Sequence, residues 1–412
     1  MSELNYLEKL LDGAEVEWKP LGKVLVRTRG TKITAGQMKI LHQDNAPLKI
    51  FAGGKTVAFV NFGDIPEKDI NREPSIIVKS RGIIEFEFCD KPFSHKNEMW
   101  SYHSANKYIN IRYVYHYLKL HEVYFQGIGS KMQMPQIAIP DTENYLIPIP
   151  CPGNAEKSLA IQSEIVWVLD TFTALTAELT AELTAELTAR KKQYNYYRDQ
   201  LLSFDDGEVE YLPMGDERVG EFIRGGTFQK KDFTDFGVGC IHYGQIYTYY
   251  GTYTNTTKTF ISESLARKCR KAESGNLIIA TTSENDDDVC KAVAWLGYDD
   301  IAVSSDACIY KHKLNPKYVS YFFQTECFQR QKKQYITGAK VRRVNASNLA
   351  QILIPVPSPE EQARIVAILD KFDTLTSSIT GGLPREIELR QKQYEYYRDL
   401  LFSFPKPESV NN

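Results

Sequence analysis

Hydrophobic residues recur at every fourth position near the centre of the chain. Residues 173–193, TALTAELTAELTAELTARKKQ, repeat Thr-Ala-Glu-Leu three times and space the stripe Leu175, Leu179, Leu183 and Leu187 evenly. Residues 159–203 lack Gly and Pro, so the pattern predicts one helix of roughly 65 Å. Glutamates four residues apart repel one another and threonine is a mediocre helix former, so this helix is expected to need a packing partner.

The chain contains one set of sequence segments twice, and we call each copy of this set a frame. Residues 164–176, EIVWVLDTFTALT, match 364–376, RIVAILDKFDTLT, at an offset of 200 residues. At the same offset, RKKQYNYYRDQLLSF (190–204) matches RQKQYEYYRDLLFSF (390–404). Two further pairs follow the same plan: LIPIPCP with LIPVPSP, and LLDGAEVEWKPLG with SFDDGEVEYLPMG. Such self-similarity indicates an internal duplication.

The second copy predicts another long helix, over residues 360–403. Gly381, Gly382 and Pro384 stand where the first copy has its repeats, which indicates a C-terminal cap followed by a restart, hence a kink or break. Two equal helices in a duplicated chain favour an antiparallel coiled coil that holds two heads apart. A dimerisation coiled coil without a spacing role is the alternative.

The blocks between the frames, residues 23–145 and 216–350, have almost no sequence in common; we call them the first and second heads. Each reads as α/β. In the first, residues 75–88 predict strand, turn and strand, and 110–126 predict a helix that Asn110 opens. In the second, strands are predicted at 275–282 and 300–312, followed by a helix from Asn315 to about residue 335.

Composition places the chain among folded proteins of two or three domains, with 412 residues, 42% hydrophobic and 25% charged. No apolar run of 18 residues and no signal peptide is present, which predicts a cytoplasmic location. The seven cysteines are scattered and predict free thiols rather than disulfides or zinc. A net charge of -2 means that any nucleic-acid site must be a local basic patch.

One basic run is the leading candidate for such a patch. Residues 328–344, FQRQKKQYITGAKVRRV, contain no acid and could neutralise phosphates. Its cations are Arg330, Lys332, Lys333, Lys340, Arg342 and Arg343. The first head offers only Lys131 and Gln133 at the corresponding place. A solvated helix end with its loop is an equally good interpretation.

Two aromatic and polar stretches are candidates for reading bases. HYGQIYTYYGTYT (242–254) supplies His242, Tyr243 and Gln245, and SHKNEMWSYHS (94–104) is similar in the first head. Such residues can hydrogen-bond to base edges and stack on bases. Tyrosine-rich segments are more often strand and core, so the structural interpretation stays open. No catalytic constellation, nucleotide-binding glycine fingerprint or metal-ligand pattern is present in the sequence.

The doubled frame, the Thr-Ala-Glu-Leu repeat and the ending KQYxYYRDxLxSF together resemble the specificity subunit of type I restriction-modification enzymes, over the whole chain. The repeats resemble the subgroup whose members differ in repeat number. The resemblance implies an α/β fold with two target recognition domains joined by two long antiparallel helices and a pseudo-two-fold internal duplication. The implied domains are 1–155 (N-terminal segment and first recognition domain), 156–206 (first helix), 207–358 (second recognition domain), 359–404 (second helix) and 405–412 (flexible tail).

The same resemblance implies a DNA-binding subunit that is not itself an enzyme. Each recognition domain would read one half of a bipartite, asymmetric site in double-stranded DNA. Two modification subunits would bring S-adenosylmethionine and methylate adenine, and restriction subunits would add ATP- and Mg-dependent translocation and cleavage. A coiled-coil adaptor whose heads bind proteins is the alternative function.

Helix geometry suggests what the repeat does. One repeat lengthens a helix by about 6 Å and rotates it by roughly 40°. One base pair adds about 3.4 Å and roughly 35°. The sequence therefore predicts that each repeat adds one or two base pairs to the unread gap between half-sites.

Overall fold

The computed structural model describes residues 5–130, 134–205, 207–377 and 382–405. The chain divides into two compact units. The first unit comprises Met1–Thr180 with Leu389–Asn412, and the second comprises Ala181–Glu388. Each unit therefore combines one head with parts of both long helical segments, whereas the sequence-based division treats heads and helices as separate domains.

The helices are α1 Asn5–Leu11, α2 Leu21–Val24, α3 Ala35–Leu41, α4 Ile111–Leu120, α5 Glu122–Gly129, α6 Ile139–Glu143, α7 Ala155–Leu201, α8 Tyr243–Thr248, α9 Glu263–Ala266, α10 Pro316–Phe322, α11 Glu326–Lys333, α12 Ala346–Leu349, α13 Pro359–Ser377 and α14 Gly382–Leu401. The strands of the first unit are β1 Val16–Pro20, β2 Val26–Arg29, β3 Leu48–Phe51, β4 Val57–Val60, β5 Ser75–Lys79, β6 Glu85–Cys89, β7 Phe93–His95, β8 Trp100–His103 and β9 Leu146–Pro150.

The strands of the second unit are β10 Glu210–Pro213, β11 Gly220–Arg224, β12 Phe233–Thr234, β13 Val238–Ile241, β14 Tyr253–Thr254, β15 Thr259–Ile261, β16 Lys271–Ala272, β17 Leu277–Ala280, β18 Thr282–Ser283, β19 Ala292–Trp295, β20 Ile301–Val303, β21 Ala307–His312, β22 Arg342–Arg343 and β23 Leu353–Val356. In both units a two-stranded ribbon, β1-β9 or β10-β23, joins the head to the frame.

The two heads share one topology despite their different sequences. The first head has an antiparallel sheet in the order β2-β8-β5-β6 and a second sheet in the order β4-β3-β7, in which β3 and β7 are parallel. The second head repeats both orders as β11-β21-β17-β19 and β15-β13-β20, again with its last pair parallel. In the second head, the short strand β14 extends the first of these sheets, and β12 and β16 extend the other.

The core of each head lies where its antiparallel sheet is covered by two helices. Every residue of β5 is buried, and Phe86 on β6 packs edge-on against Phe125 of α5 with the ring centroids 5.1 Å apart. In the second head, all of β17 and β19 are buried and α10 contributes Tyr318 and Phe322. Continuous burial of these strands matches their apolar composition, because both sheet faces are covered.

Each head docks on its long helix through the same set of contacts. The apolar residues Ile165 and Leu169 of α7 are fully buried, and so are Ile365 and Leu369 of α13. In the first unit, the backbone N–H of Asn110 donates to Oε1 of Gln162 at 2.9 Å. The apolar anchors on the two helices are therefore related by the same 200-residue offset as the frame.

The polar contacts are duplicated as well. In the second unit the backbone N–H of Asn315 donates to Oε1 of Gln362 at 2.8 Å. Both asparagines also cap, through the side chain, the helix that directly follows them, α4 or α10. A buried tyrosine hydroxyl adds another bond in each unit, from Tyr113 to the Pro148 carbonyl and from Tyr318 to the Pro355 carbonyl. The frame thus folds the same way twice because its contacts are duplicated with its sequence.

The long helix α7 confirms the prediction from the repeat region. It runs for 47 residues, and Asn154 caps it by accepting a hydrogen bond from the Lys157 N–H at 3.0 Å. In the first unit, Phe172 of α7 stacks on Tyr397 of α14 at 5.5 Å. In the second unit, Tyr197 of α7 stacks on Phe372 of α13 at 5.7 Å. Early residues of one helix therefore meet late residues of the other in each unit, which is the antiparallel pairing that the duplication predicted.

The second helical segment is divided, as Gly382 and Pro384 predicted. α13 ends at Ser377 and α14 begins at Gly382, which has a φ of 77°. A β-carbon at Gly382 would collide with the carbonyl oxygens of Thr374 and Leu375, so a side chain is excluded there. Gly381 lies outside the described residues.

The four repeat leucines are only partly covered. Leu175 is 55% exposed, and Leu179, Leu183 and Leu187 are intermediate in burial. Local contacts support the helix instead: Arg190 pairs with Glu186 one turn away at 2.7 Å, and the Thr188 hydroxyl donates to the Thr184 carbonyl at 2.9 Å. The repeat is therefore helical without a buried leucine seam.

Several predicted elements are shorter or divided. The strand predicted at 300–312 is two strands, β20 and β21, which lie in different sheets because residues 304–306 turn between them. The helices predicted at 110–126 and from Asn315 to about 335 are each two helices, α4 with α5 and α10 with α11. Sheet pairing and packing on the frame decide these breaks, and neither is visible in local periodicity. The predicted tail, residues 405–412, lies outside the described residues except for Pro405.

Among the described residues, no helix has both the length and the apolar character needed to cross a membrane. All seven cysteines are free. In the same part of the chain, no three His, Cys, Asp or Glu side chains are grouped so that they could hold a metal ion.

Candidate nucleic-acid interface

An arginine followed by a glycine ends the first strand of the first head. β2 stops at Arg29, and Gly30 passes so close to the end of β7 that a β-carbon would collide with the His95 carbonyl oxygen. The Thr31 N–H donates to that same carbonyl at 2.8 Å. Arg29 is exposed and sits where the two sheets of the head meet. The close approach of two backbones therefore fixes the position of Arg29.

The second head repeats this Arg-Gly turn at the end of its first strand, which we call the corner of each head. β11 stops at Arg224, and a β-carbon on Gly225 would collide with the Ser304 carbonyl oxygen at the end of β20. The Gly226 N–H donates to the Val303 carbonyl at 2.7 Å. Arg224 is exposed, and its Nε donates to the Ser305 carbonyl at 3.3 Å. Within the described residues its two terminal nitrogens have no protein partner, so they can bind another group.

A polar groove of about 730 Å³ opens beside Arg29; we call it the first groove. Its walls are the corner, the turn at residues 97–99 before β8, and Ile139 at the start of α6. Its charged lining residues are Arg27, Arg29, Lys32, Lys68, Asp69 and Glu98. Four cations against two carboxylates make the groove positive in a chain whose net charge is -2.

Most of the positive charge in the first groove is free. Arg27 is paired with Glu143 at 3.0 Å, and Glu98 is paired with Lys96 at 2.6 Å. Arg29, Lys32 and Lys68 form no ion pair within the described residues. Unpaired cations in a polar groove suit an anionic ligand such as a phosphate chain.

A second groove, of about 260 Å³, opens beside Arg224 at the corresponding place. Its walls are the corner, the turn at residues 305–307 before β21, and Ala346 at the start of α12. Arg224 and Arg343 are its cations and Asp306 is its carboxylate. In the part of the chain that the structure describes, neither arginine forms an ion pair.

Part of the predicted basic run reaches the second groove. Arg343 lies on β22, which pairs with β18 and so lines the groove. Arg342 is held by Asp286, with Nε 2.7 Å from the carboxylate. Lys340 is exposed in the loop before β22. Arg330 and Lys333 are exposed on α11 but do not line the groove.

Lys332 is a correction to the predicted set. Its side chain is 1% exposed, and its Nζ donates to the Asp287 and Val289 carbonyls at 3.0 and 2.9 Å. Burial lowers its pKa despite the acidic residues 286–288 nearby. Lys332 therefore anchors the loop before β19 and cannot reach DNA.

His242 and Gln245 are further corrections. His242 caps α8 by accepting a hydrogen bond from Gly244 N–H, and the Gln245 side chain returns to His242 N–H at 2.9 Å. Both side chains are 8% exposed, and burial lowers the pKa of His242. Tyr243 is half-buried against the core. The sequence left strand and core open as the structural interpretation, but most of this stretch forms the capped helix α8, and Tyr253–Thr254 is its strand.

In the first head, Lys131 and Gln133 lie outside the described residues. The candidate stretch 94–104 contributes residues 97–100 to the first groove, through the turn that precedes β8. Sequence reasoning missed Arg29 and Arg224 altogether. The signal that could have revealed them was an Arg-Gly pair after the first strand of each head, in RTRGT (27–31) and FIRGGT (222–227).

Comparisons with known proteins agree with this arrangement. Residues 36–189 and 214–389 match the family described as "Type I restriction modification DNA specificity domain". The chain is 41% identical to the EcoR124I/EcoR124II type I restriction enzyme specificity subunit of Escherichia coli, over the full length of both chains. It is 31% identical to a putative type I specificity subunit of Haemophilus influenzae, over 97% of this chain and 98% of that one.

Solved structures show the same fold at low sequence identity. One, from a study of complex assembly and conformational transition in the type I R-M system, has a TM-score of 0.63 and 13% identity, covering 94% of this chain and 97% of that one. The HsdS subunit of Thermoanaerobacter tengcongensis has a TM-score of 0.51 and 15% identity, covering 94% and 96%.

The chain therefore belongs to the family of type I restriction-modification specificity subunits, which confirms the resemblance found in the sequence. These are the non-catalytic subunits of their systems, as the sequence predicted for this chain.

Proposed function

We propose that this chain selects the DNA sequence for a type I restriction-modification complex, with each head reading one half of a bipartite site. One observation carries the proposal: two heads have the same strand order and the same Arg-Gly corner, but line their grooves with different side chains. A shared backbone geometry suits one mode of docking on duplex DNA. Different lining side chains suit two different half-sites.

The duplicated frame supports docking of two equivalent partner subunits. Tyr196 and Tyr396 occupy matching positions at the ends of α7 and α14 and are 62% and 50% exposed. Exposed aromatic side chains are enriched at protein interfaces. We propose that each frame binds one methyltransferase subunit that carries S-adenosylmethionine, and that restriction subunits contribute ATP- and Mg-dependent cleavage. This activity would take place in the cytoplasm, with the host genome.

The Thr-Ala-Glu-Leu repeat would set the gap between the half-sites. Because α7 continues as a regular helix through all three repeats, removing one repeat shortens it by about 6 Å and rotates its far end by roughly 40°. The rotation is close to that of one base pair, and the translation lies between one and two base pairs.

The test is to delete Thr180 to Leu183 and map methylated sites genome-wide in cells that express the chain with its methyltransferase partner. We expect the same half-sites separated by a gap one or two base pairs shorter. The matched control replaces Thr180, Glu182 and Leu183 with alanine, keeps the helix length, and should keep the gap. An unchanged gap after deletion rejects the spacer role, and altered half-sites would move recognition into the helix.

A further inference from the structure

Arg29 and Arg224 occupy the same position in two heads that share almost no sequence. Each is the last residue of the first strand of its head, and each precedes a glycine that no side chain could replace. Each borders the groove formed with the turn before the neighbouring strand of its sheet, β8 or β21. Neither follows from the repeated frame, because the heads lie outside it.

The charge around both arginines is arranged for an anion. Neither arginine forms an ion pair within the described residues, and each groove has more cations than carboxylates. Lys32 and Lys68 accompany Arg29, and Arg343 accompanies Arg224. The carboxylates in the grooves are Asp69, Glu98 and Asp306, of which Glu98 is paired with Lys96.

The matching positions of Arg29 and Arg224 favour a phosphate contact over a base contact. An arginine that reads a base selects mainly guanine, so the same arginine at the same place in both heads would impose the same base on both half-sites. A phosphate lies at an equivalent place in every duplex, whatever its sequence. The residue that both heads have in common is therefore suited to positioning, and the residues that differ are suited to reading.

We propose that Arg29 and Arg224 are equivalent phosphate-contacting residues, which hold the DNA backbone in the same register in both heads without reading sequence. This inference rests on the proposed function, because it assumes that both heads bind duplex DNA. It follows that the residues of each groove have two different roles. The arginine at the strand end positions the duplex, and neighbouring residues such as Arg343 contact bases.

The experiment uses the full chain in complex with its methyltransferase partner and two fluorescent duplexes. One duplex carries the site mapped by methylation sequencing, and the other has both half-sites scrambled. Affinity is measured from about 50 to 200 mM salt, the range over which phosphate contacts weaken measurably. The proteins are the wild type, Arg29→Gln, Arg224→Gln and the control Arg267→Gln, an arginine that follows α9, is 81% exposed and lies outside both grooves.

We expect each groove variant to lose roughly tenfold in affinity for both duplexes and to lower the slope of log K against log salt by about 1. The methylated sequence should stay the same, and the control should match the wild type. Arg29→Lys and Arg224→Lys should keep the salt slope, because a lysine also neutralises a phosphate.

Loss of affinity for the mapped site alone, with one base position relaxed in the methylome, would show a base contact and overturn the inference. If the glutamine variants fold poorly, the lysine variants separate the same two outcomes. An arginine-to-lysine change is not conservative at a bidentate base contact, but it keeps the charge that a phosphate contact needs. Unchanged binding by all variants also overturns it. A wild type that does not prefer the mapped duplex would instead reject the proposed function.

Discussion

The two heads differ in nearly every side chain and agree in the order of every strand of their main sheets. The first groove is wide, at about 730 Å³, and has lysines beside its arginines. The second is about 260 Å³, and β22 brings Arg343 to its wall. Both are built on the same Arg-Gly corner. This comparison indicates that the backbone junction between the two sheets restricts which residues can occupy the corner, whereas the residues that line the groove can differ.

The largest expected effect tests that shared corner. Gly30→Ala and Gly225→Ala should each cost about 3 kcal/mol of stability, because a β-carbon collides with a strand carbonyl that cannot move alone. Hydrogen exchange of the full chain should show lost protection in β7 and β8 for the first variant and in β20 and β21 for the second. Gly127→Ala and Gly251→Ala, where no atom obstructs a β-carbon, are the matched controls. Full protection from hydrogen exchange in either corner variant would contradict the prediction that both heads depend on the same corner.

A smaller effect tests the shared docking of heads on the frame. Gln162→Leu and Gln362→Leu each leave a partly buried backbone N–H unpaired, at Asn110 or Asn315, which should cost about 2 kcal/mol. The two losses should be equal within error, as measured by the thermal midpoint. Gln200→Leu, at an exposed position of α7, is the control. A loss at only one of the two sites would mean that the duplicated frame no longer supports both heads alike.

Acid should destabilise the second head, because His312 on β21 is largely buried and becomes protonated at low pH. Burial lowers its pKa to about 4, from an ordinary value of 6.5. Because the folded-state pKa is the lower one, His312 contributes full stability above pH 6.5, and that contribution is lost as the pH falls toward 4. Between about pH 7.5 and pH 5 the loss should be about 1 to 2 kcal/mol.

The measurement is the thermal midpoint of the wild type and His312→Gln at both of these pH values. The difference at the higher pH reports packing, so only the additional difference at the lower pH reports titration. Equal acid sensitivity of the two proteins would contradict the prediction. Burial also lowers the pKa of His95 in the first head, so the His312→Gln variant should retain part of the acid response.

The smallest effect concerns the repeat, which only the first copy of the frame contains. Leu175→Ala should change stability by a few tenths of a kcal/mol, because that side chain is 55% exposed. Leu169→Ala, at a fully buried position earlier in α7, should cost about 3 kcal/mol. A large effect at Leu175 in the isolated chain would indicate a packed leucine seam. A large effect only in the complex would place a partner subunit against the stripe.

The sequence predicted most of the frame because its signals are local and repeated. The long helix, the break near Gly382, the caps at Asn110 and Asn315, and the β5-β6 hairpin all follow from composition, capping residues and periodicity. The candidate site was predicted less well. Arg343 lies in a groove, but Lys332, His242 and Gln245 are buried and satisfied by hydrogen bonds within the protein.

By itself, the sequence determined the duplication, the long helix α7 and the family, since repeated residues and helix periodicity can be read without knowing any long-range contact. Only the tertiary structure decided that the heads share a topology, that Arg29 and Arg224 are equivalent, and which cations are free. Strand order and burial depend on pairings between residues far apart in the chain, and two different sequences can satisfy the same pairings. The charge of a lysine such as Lys332 is visible in the sequence, but whether it faces solvent or a buried carbonyl depends on the fold.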